Sequence, residues 1–240
     1  MSSVENHYDT LLAGIYSWMA GGADAAFAVG QADLASEIQR GGYAIDLGAG
    51  FGMHAIPLAR AGWRVVAIDS SPALLAELTS HAAGLPVRTH GGDLLRFADL
   101  TESEPGADLI LCMGDTLTHL ESQEAIAALA HSVASRLAPG GRFVATFRDY
   151  TRLPSGDARF IPVRSDDRRI LTCFLEEHPE FVLVHDLVHE RTAAGWTTRV
   201  SSYRKLRLAP DAAQQALTAA GLRARVEPGP RGMVRLVADA

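Results

Sequence analysis

The sequence predicts a doubly wound α/β fold, in which a seven-stranded, mostly parallel sheet carries an antiparallel β insertion after its fifth strand. Three observations support this prediction. Short apolar runs alternate with segments of helical periodicity over the first 148 residues. A glycine-rich turn at 48–52 follows the first of these runs. From Phe160 to Leu208 the pattern changes to β-rich runs joined by short turns.

Apolar periodicity, caps and turns define the elements of the first part of the chain. The predicted strands are 43–47, 64–69, 86–90, 108–113 and 142–147, and the predicted helices are 23–39, 52–61, 72–81 and 122–137. Ser71-Pro72 is a typical helix start, because serine caps free N–H groups and proline fits the first helical position. Pro139-Gly140 is expected to follow the end of the last of these helices.

The second part of the chain is expected to hold the insertion and the end of the main sheet. Its predicted β runs are 169–175, 181–190 and 196–208, and Ala193–Gly195 has the composition of a hairpin turn. A helix at 210–220 and strands at 222–227 and 232–238 then complete the sheet. The main domain is thus predicted at 1–148 and 209–240, with 1–22 as an N-terminal lid and 149–208 as a substrate lid.

Composition bounds the class of protein. The 240 residues are 48% hydrophobic and 21% charged, with a formal net charge of −6, which is typical of a globular protein. Cys112 and Cys173 lie too far apart to predict a disulfide framework or a thiolate metal cluster. No apolar run approaches the ~20 residues of a membrane span. Because the first residues are polar and acidic, we expect a cytoplasmic protein.

Charge is unevenly distributed along the chain. The first 140 residues carry 6 basic against 16 acidic side chains, whereas the last 100 carry 16 against 12. The positive second part fits either an anionic substrate or arginines that solvate exposed strands. Lys205 is the only lysine. No basic run is dense enough to predict binding of nucleic acid.

The glycine turn predicts a nucleoside site. An apolar run ends in the spacing Asp-x-Gly-x-Gly-x-Gly at 46–52, and a second run ends in Asp69. In doubly wound folds such a turn lets the backbone approach a ligand, and an acid at the tip of the next strand binds ribose hydroxyls. The dinucleotide pattern G-x-G-x-x-G places its third glycine one residue later, which makes a nicotinamide cofactor the weaker alternative.

Over roughly residues 40–148 these motifs resemble those of the class I S-adenosylmethionine-dependent methyltransferases. Residues 91–95 are similar to the family's loop after the third strand, 107–114 to its fourth strand and 137–145 to its fifth. The resemblance implies a Rossmann-like sheet, S-adenosyl-L-methionine as cofactor and S-adenosyl-L-homocysteine as product. The cofactor-binding residues that it implies are Asp46, Gly48, Ala49, Gly50, Gly52, Asp69, Ser70, Asp93, Leu94, Met113, Tyr16 and Trp18.

Two further segments resemble the small-molecule N-methyltransferases, among them the glycine, sarcosine and deoxysugar-amine enzymes. Cys112–Leu120 is similar to their Gly-Asn-Ser-x-x-His-Leu segment, and Phe147–Tyr150 to their Arg-Asn-Tyr. Asp115 and Asp149 stand where that family has asparagine. With these extra acids, we expect a cationic or hydroxylated amine as acceptor rather than glycine.

Three residues are candidates for the catalytic site. Asp115 is expected to bind and deprotonate the acceptor, and His119, four residues later, to assist it. Arg148 is expected to hold an anionic group, as the corresponding arginine does in the glycine enzymes. Each has a structural alternative: a turn cap for Asp115, a packed histidine for His119 and an ion pair for Arg148.

The N-terminal segment is rich in aromatic residues. Tyr8, Tyr16 and Trp18 are expected to fold over the cofactor, where aromatic rings attract a sulfonium ion. Ordinary packing of the N-terminus is the alternative. His178, His185 and His189 suggest a metal site, but no third ligand has convincing spacing, and we predict no bound metal.

We therefore expect an enzyme that moves a methyl group to a small-molecule nitrogen, or to an oxygen, by in-line displacement. The alternatives are an RNA or protein methyltransferase and a non-catalytic S-adenosylmethionine-binding protein of the same fold. The expected partner is a small-molecule substrate, with neither nucleic acid nor membrane. A homodimer formed through the edge of the insertion is a further prediction.

Overall fold

The computed structural model describes residues 3–240 and confirms the predicted fold class. The strands are β1 (Tyr43–Leu47), β2 (Arg64–Asp69), β3 (Val87–Gly91), β4 (Ala107–Cys112), β5 (Leu137–Phe147), β6 (Phe160–Ser165), β7 (Arg169–Glu177), β8 (Phe181–Thr192), β9 (Gly195–Leu206), β10 (Arg223–Pro228) and β11 (Val234–Asp239). The α-helices are α1 (Ser3–His7), α2 (Tyr16–Met19), α3 (Ala23–Asp33), α4 (Ala55–Arg60), α5 (Pro72–His81), α6 (Phe97–Leu100), α7 (Gln123–Arg136) and α8 (Pro210–Ala219).

The main sheet has the strand order β10-β11-β5-β4-β1-β2-β3. Strands β1 to β5 pair in parallel, and β11 pairs antiparallel with both β5 and β10. The chain leaves β1 toward β2 on one side and later returns to β4 on the other side. The loops at the carboxyl ends of β1 and β4 therefore diverge, and in open α/β sheets this is where ligands bind.

The core lies on both faces of this sheet. Along β1, Tyr43, Ile45 and Leu47 belong to one buried cluster, while Ala44 belongs to the other. All five residues of β1 are buried, as expected for a central parallel strand covered by helices on both sides. The strand that leads into the glycine turn is therefore part of the core.

Most predicted elements lie within two residues of their observed bounds, and three differ. Helix α3 ends at Asp33 rather than near residue 39, and 34–39 forms turns. Helix α4 begins at Ala55 rather than Gly52, because residues 50–54 form the turns of the glycine loop. Strand β5 begins at Leu137, since Leu137 pairs with Ala107 before a bulge and regular pairing resumes at Arg142.

The insertion is a separate antiparallel sheet with the order β6-β7-β8-β9. The N-terminal segment packs against it through Leu11, Leu12 and Ile15, which form a buried cluster with Leu171 and Val188. Within residues 3–240, no helix is both long enough and apolar enough to cross a membrane.

Candidate functional site

A cavity of about 430 Å³ opens at the carboxyl ends of β1, β2, β3 and β4. Its walls come from the glycine loop after β1, from Asp69 and Ser70 at the end of β2, from the loop after β3 and, after β4, from Met113, Gly114, Thr116 and residues 119–122. Tyr8 and Tyr16 of the N-terminal segment also line it. The volume falls in the range of small-molecule sites.

Two glycines shape the loop that lines this cavity. Gly48 has φ +69°, and a Cβ there would lie 2.4 Å from the Thr116 side chain, so this position requires glycine to pack against the loop after β4. Gly50 has φ +54°, but a Cβ there would meet no atom within 4 Å. Gly50 therefore presents bare backbone to open space at the cavity wall.

Asp69 is fixed by backbone hydrogen bonds at the end of β2. Gly50 N donates to Oδ2 at 2.8 Å, and Ser71 N donates to Oδ1 at 2.8 Å. Burial raises the pKa of Asp69, although these backbone bonds act in the opposite direction. The carboxylate is thus held at the cavity wall with further lone pairs available to a ligand.

Asp46 lies near the end of β1 and is not part of the cavity wall. Its side chain is buried, and neither carboxyl oxygen has a hydrogen bond of full geometry among the described residues, although the backbone N–H of Ala55 is near enough to lower its pKa. Burial raises its pKa to about 6, while nearby His54 partly offsets this effect. An unpaired buried carboxyl group is unfavourable for folding alone, so it suits a site that receives a positive charge.

The charged side chains of the cavity wall are acidic. Asp69, Asp93 and Glu121 line the cavity, and neither lysine nor arginine is found among the described residues of the wall. The remaining polar lining includes the imidazoles of His54 and His119. The cavity therefore favours cationic or neutral ligands over anions.

Asp115 lies between two residues of the cavity wall but is not part of the wall itself, and its carboxylate is occupied by other side chains. Oδ1 accepts from Arg148 N at 2.6 Å, and Oδ2 accepts from Arg148 Nη1 at 2.6 Å, Tyr150 Oη at 2.9 Å and Lys205 Nζ at 3.0 Å. Burial alone would raise the pKa of Asp115, but Lys205 and Arg148 hold it well below its usual range. Such a carboxylate is a poor proton acceptor.

Asp115 also has φ +77°, in the left-handed region that few residues other than glycine adopt. The four donors that hold its carboxylate offset this strain. Its neighbours Gly114 and Thr116 line the cavity. The arrangement positions the loop after β4 at the cavity wall.

His119 lies on the cavity wall beside Tyr8 and Tyr203. Its ring stacks on Tyr203 with 5.5 Å between centroids and meets the Tyr8 ring edge-on at 6.0 Å. Its Nδ1 is buried without a hydrogen-bond partner among the described residues. Burial, and after it the charge of Lys205, lowers the pKa of His119 well below its usual range, which favours the neutral imidazole.

The structure brings together eleven of the predicted site residues and leaves five elsewhere. The residues on the cavity wall are Tyr8, Tyr16, Gly48, Ala49, Gly50, Asp69, Ser70, Asp93, Leu94, Met113 and His119. The residues away from the wall are Asp46, Gly52, Trp18, Asp115 and Arg148. Trp18 instead donates from Nε1 to Asp166 in the turn after β6, and Arg169 lies 4.9 Å from its ring centroid.

Sequence reasoning overlooked several residues of the wall. Phe51 and His54 lie in or just after the glycine turn, and Glu121 and Ser122 directly follow the His119-Leu120 pair. Each pair of residues is adjacent in sequence to a motif that was identified, the glycine turn or the His119-Leu120 pair. Extending each motif by a few residues would have included them. Ser122 also caps α7, since Ala125 N donates to its Oγ at 3.3 Å.

The three histidines that suggested a metal have protein partners on the insertion. His178 and His185 contact Glu176 at 3.1 and 2.9 Å, and His189 contacts Thr198 at 2.8 Å. In the part of the chain that the structure describes, no cluster of three or more His, Cys, Asp or Glu side chains has the geometry to hold a metal ion.

Residues 44–141 match the family model described as a methyltransferase domain. The chain is also 34% identical over 133 residues to the cypemycin N-terminal methyltransferase of a Streptomyces species, an alignment that covers 53% of this chain and 51% of that protein. The match thus spans about half the length of this curated relative.

Solved structures share the fold at low sequence identity. The S-adenosylmethionine-bound amino pentose methyltransferase CalS10 of Micromonospora echinaspora has a TM-score of 0.73 and 21% identity, over 90% of both chains. DesVI of Streptomyces venezuelae has a TM-score of 0.76 and 21% identity, over 94% of this chain and 97% of its own. These matches confirm the predicted resemblance in fold to the class I methyltransferases.

Proposed function

We propose that this chain, which carries a methyltransferase domain of the class I fold, is an S-adenosylmethionine-dependent methyltransferase whose acceptor is an amine nitrogen. One observation carries the proposal: the glycine loop, Asp69 and an acidic wall without lysine or arginine converge on a single cavity. A sulfonium cofactor and a protonated amine are both cations, and this wall suits both.

The residues of the cavity fit the cofactor. Gly50 leaves room for a ligand against the backbone, and Asp69 offers carboxylate oxygens to ribose hydroxyls. Asp93 and Leu94 offer an acceptor and an apolar contact to an adenine. Asp46 supplies a buried negative charge toward the ammonium of the methionine part. Tyr8 and Tyr16 add aromatic rings to the wall.

The bound cofactor supplies an activated methyl group on a sulfonium sulfur. The protein must then orient the acceptor nitrogen, exclude water and leave that nitrogen unprotonated. Orientation alone is worth up to ~7–11 kcal/mol of the barrier. Val4, Tyr8 and Tyr16 of the N-terminal segment, together with His119 from the loop after β4, enclose the space beside the glycine loop, so these residues are assigned to positioning.

His119 is assigned to positioning the acceptor amine in this proposal, and Asp115 is not. The imidazole of His119 lines the cavity, and its lowered pKa favours a neutral ring whose free nitrogen can accept a hydrogen bond from the amine. Asp115 instead anchors Arg148, Tyr150 and Lys205. Arg148 is tied to Asp115 and absent from the wall, so a role as an anion clamp is not part of the proposal.

Glu121 is the acidic residue of the wall that lies nearest in sequence to His119, and it is exposed at the cavity. We assign it to recognition of the protonated amine or a hydroxyl of the acceptor. Glu121→Gln should therefore raise the acceptor KM and leave cofactor affinity unchanged. The exposed Glu102→Gln, outside the wall, is the matched control and should change neither quantity.

Cofactor binding is the first test, by titration calorimetry with S-adenosylmethionine, S-adenosylhomocysteine and NAD. We expect micromolar binding of the first two and none of NAD. Asp69→Ala should weaken binding by roughly 10- to 100-fold, because it removes a charged hydrogen-bond acceptor, while circular dichroism stays unchanged. The exposed Asp99→Ala is the control. Binding of NAD alone would contradict the proposal and favour an oxidoreductase.

Methyl transfer is then measured with a panel of amino sugars, simple amines, amino acids and alcohols. Product formation with amines, and little with alcohols or carboxylates, supports an amine acceptor. Cofactor binding without turnover of any acceptor would favour the non-catalytic alternative. Tight, salt-sensitive binding of RNA would favour the nucleic-acid alternative.

A peptide amine is the second candidate acceptor. It is favoured by the 34% identity over 133 residues to a methyltransferase named for the N-terminus of cypemycin. The N-terminal ammonium of a peptide carries the same charge as an amino sugar and suits the same acidic wall. The two candidates are separated by assaying peptides with free and with acetylated N-termini beside amino sugars. Methylation of the free peptide but not of the acetylated one, at a higher rate than that of amino sugars, would favour a peptide acceptor.

A further inference from the structure

His54 is one of two imidazoles on a cavity wall that carries neither lysine nor arginine among its described residues. It directly precedes α4, at the end of the glycine loop, and its side chain is 9% exposed. The cofactor carries one carboxylate, on its methionine part, and a carboxylate binds best to hydrogen-bond donors that are also positively charged. The proposed function so far gives His54 no role.

Asp33, which is not part of the wall, contacts one nitrogen of the His54 ring. Nε2 of His54 lies 3.4 Å from Oδ2 of Asp33, whose side chain is 5% exposed. Burial would raise the pKa of Asp33, but hydrogen bonds from His54 and Arg231 lower it to about 2. Because an ionised carboxylate can only accept, Nε2 of His54 carries a hydrogen atom, and Nδ1 is the nitrogen that remains for a ligand.

Asp33 is itself fixed at the end of α3. Arg231, in the turn before β11, donates from Nη1 and Nη2 to its two carboxylate oxygens at 3.0 and 2.8 Å. Arg235 of β11 donates to its backbone oxygen at 3.1 Å. Helix α3 also packs directly on the glycine loop, where a Cβ at Gly30 would overlap the backbone of Met53. The carboxylate is therefore held beside the loop by contacts from several elements.

Asp46 is a second carboxyl group near His54. Burial raises the pKa of Asp46, and the nearby charge of His54 acts against this effect. In the methionine part of the cofactor, the ammonium and the carboxylate are bonded to the same carbon atom. Since the proposed function assigns the ammonium to Asp46, the partner of the carboxylate has to lie close to Asp46, and His54 does.

His119, the other imidazole of the wall, suits this role less well. Its ring contacts the rings of Tyr8 and Tyr203. Burial, followed by the charge of Lys205, lowers its pKa well below its usual range. This disfavours the cation that an anionic group prefers, so His119 fits the acceptor amine and His54 fits the carboxylate.

We propose that His54 binds the carboxylate of the methionine part of S-adenosylmethionine through Nδ1, and that Asp33 is a positioning residue that holds the ring for this contact. The inference deepens the proposed function, because it takes the same cofactor and adds the residues that recognise one end of it. Between Asp33 and the ligand carboxylate both ring nitrogens donate, so the imidazolium is the form that binds. The protein should therefore select against a cofactor analogue that lacks the carboxylate.

The test compares S-adenosylmethionine with decarboxylated S-adenosylmethionine, which keeps the adenosine, the sulfonium and the ammonium. Titration calorimetry gives the ratio of the two affinities for each variant. The wild type should bind S-adenosylmethionine at least ~10-fold more tightly, because a hydrogen bond between charged groups is worth about that factor or more. In His54→Leu this ratio should fall to near one, with little loss of affinity for the decarboxylated ligand.

Asp33 is tested by the same ratio. Asp33→Ala should lower it several-fold, whereas Asp33→Asn, which keeps an acceptor for Nε2 of His54, should lower it less. Arg231→Met is the matched control, because it removes the half-exposed partner of Asp33 and leaves the contact with His54 in place. Arg231→Met should keep the wild-type ratio. Asp46→Asn should weaken both ligands alike, since both carry the ammonium.

Three results would overturn the inference. An unchanged ratio in His54→Leu, or in His54→Phe if the leucine variant fails to fold by circular dichroism, would assign the carboxylate to another group. Equal losses of affinity for both ligands in Asp33→Ala would give Asp33 a purely structural role. A fall of the ratio in Arg231→Met as large as that in Asp33→Ala would assign the effect to the packing of α3. Failure of the proposed function would look different, because the wild type would then bind neither ligand.

Discussion

Asp46 shows at the scale of one residue how a binding site is maintained at a cost in stability. Its carboxyl group is buried without a partner, and burial raises its pKa from 3.8 to about 6. Between these values the folded protein holds a proton that the unfolded chain releases. Asp46 therefore destabilises the folded state progressively as the pH rises from about 4 to 6, and the full cost persists at pH 7.

Asp46→Asn should remove this cost, because asparagine has a similar shape and no charge. The free energy of unfolding of the protein without cofactor should rise by about 2–3 kcal/mol at pH 7, and the gain should vanish near pH 4. Chemical denaturation at both pH values measures it. The increase in the free energy of unfolding that S-adenosylmethionine produces should be smaller in the same variant. General damage to the fold would lower the stability without cofactor, so it cannot explain a protein that is more stable alone and less stabilised by cofactor. A less stable variant at pH 7 would contradict the prediction.

At the scale of elements, the N-terminal segment joins the insertion to the cavity. Its apolar side packs on β7 and β8 through Leu171 and Val188. The buried His7 contacts Asp186 of β8 at 3.0 Å. Tyr8 and Tyr16 of the same segment line the cavity. The segment therefore has a geometry that suits a lid, although its role in substrate binding stays a prediction.

Tyr16 and Trp18 allow a matched comparison within this segment. Tyr16 lines the cavity, whereas Trp18 donates to Asp166 on the insertion. Tyr16→Ala should weaken binding of S-adenosylmethionine by roughly tenfold through loss of an aromatic contact, and Trp18→Ala should leave it nearly unchanged. Trp18→Ala should instead accelerate amide exchange in residues 3–22. Equal losses of S-adenosylmethionine affinity in Tyr16→Ala and Trp18→Ala would contradict the placement of Tyr16 on the cavity wall and of Trp18 away from it.

At the scale of the whole molecule, the insertion sheet leaves its outer face open. Phe160, Trp196 and Val200 lie on this sheet with 53%, 52% and 57% of their surface exposed. Exposed apolar patches of this kind mark association sites, and β6 and β9 are free edges of the sheet in the described chain. Association with a second copy of the chain stays a prediction.

Light scattering after size exclusion tests this prediction. We expect the wild-type protein to elute as a dimer and Val200→Asp to elute as a monomer, because an added carboxylate opposes burial of the patch. Val226→Asp, at a partly exposed position on β10 of the main sheet, is the control and should remain dimeric. A wild-type monomer at all concentrations would contradict the prediction.

The cofactor half of the site follows closely from the sequence because its motifs are local. The glycine turn and Asp69 are each short signals at the ends of apolar runs, and the parallel sheet brings strand ends to one edge. Gly50 and Asp69 thus meet through a hydrogen bond of 2.8 Å, although they are 19 residues apart. Trp18 could not be placed in this way, because its partner Asp166 is 148 residues away.

The sequence alone determined the fold class, the bounds of most strands and helices, and the residues that form the glycine loop and its acidic neighbour. Periodicity and turn chemistry are properties of short segments, so they are readable without the fold. Only the tertiary structure decided the state of Asp115 and His119. The carboxylate is saturated by Arg148, Tyr150 and Lys205, and the last of these is 90 residues away along the chain. Contacts over such separations depend on packing and leave no local pattern in the sequence.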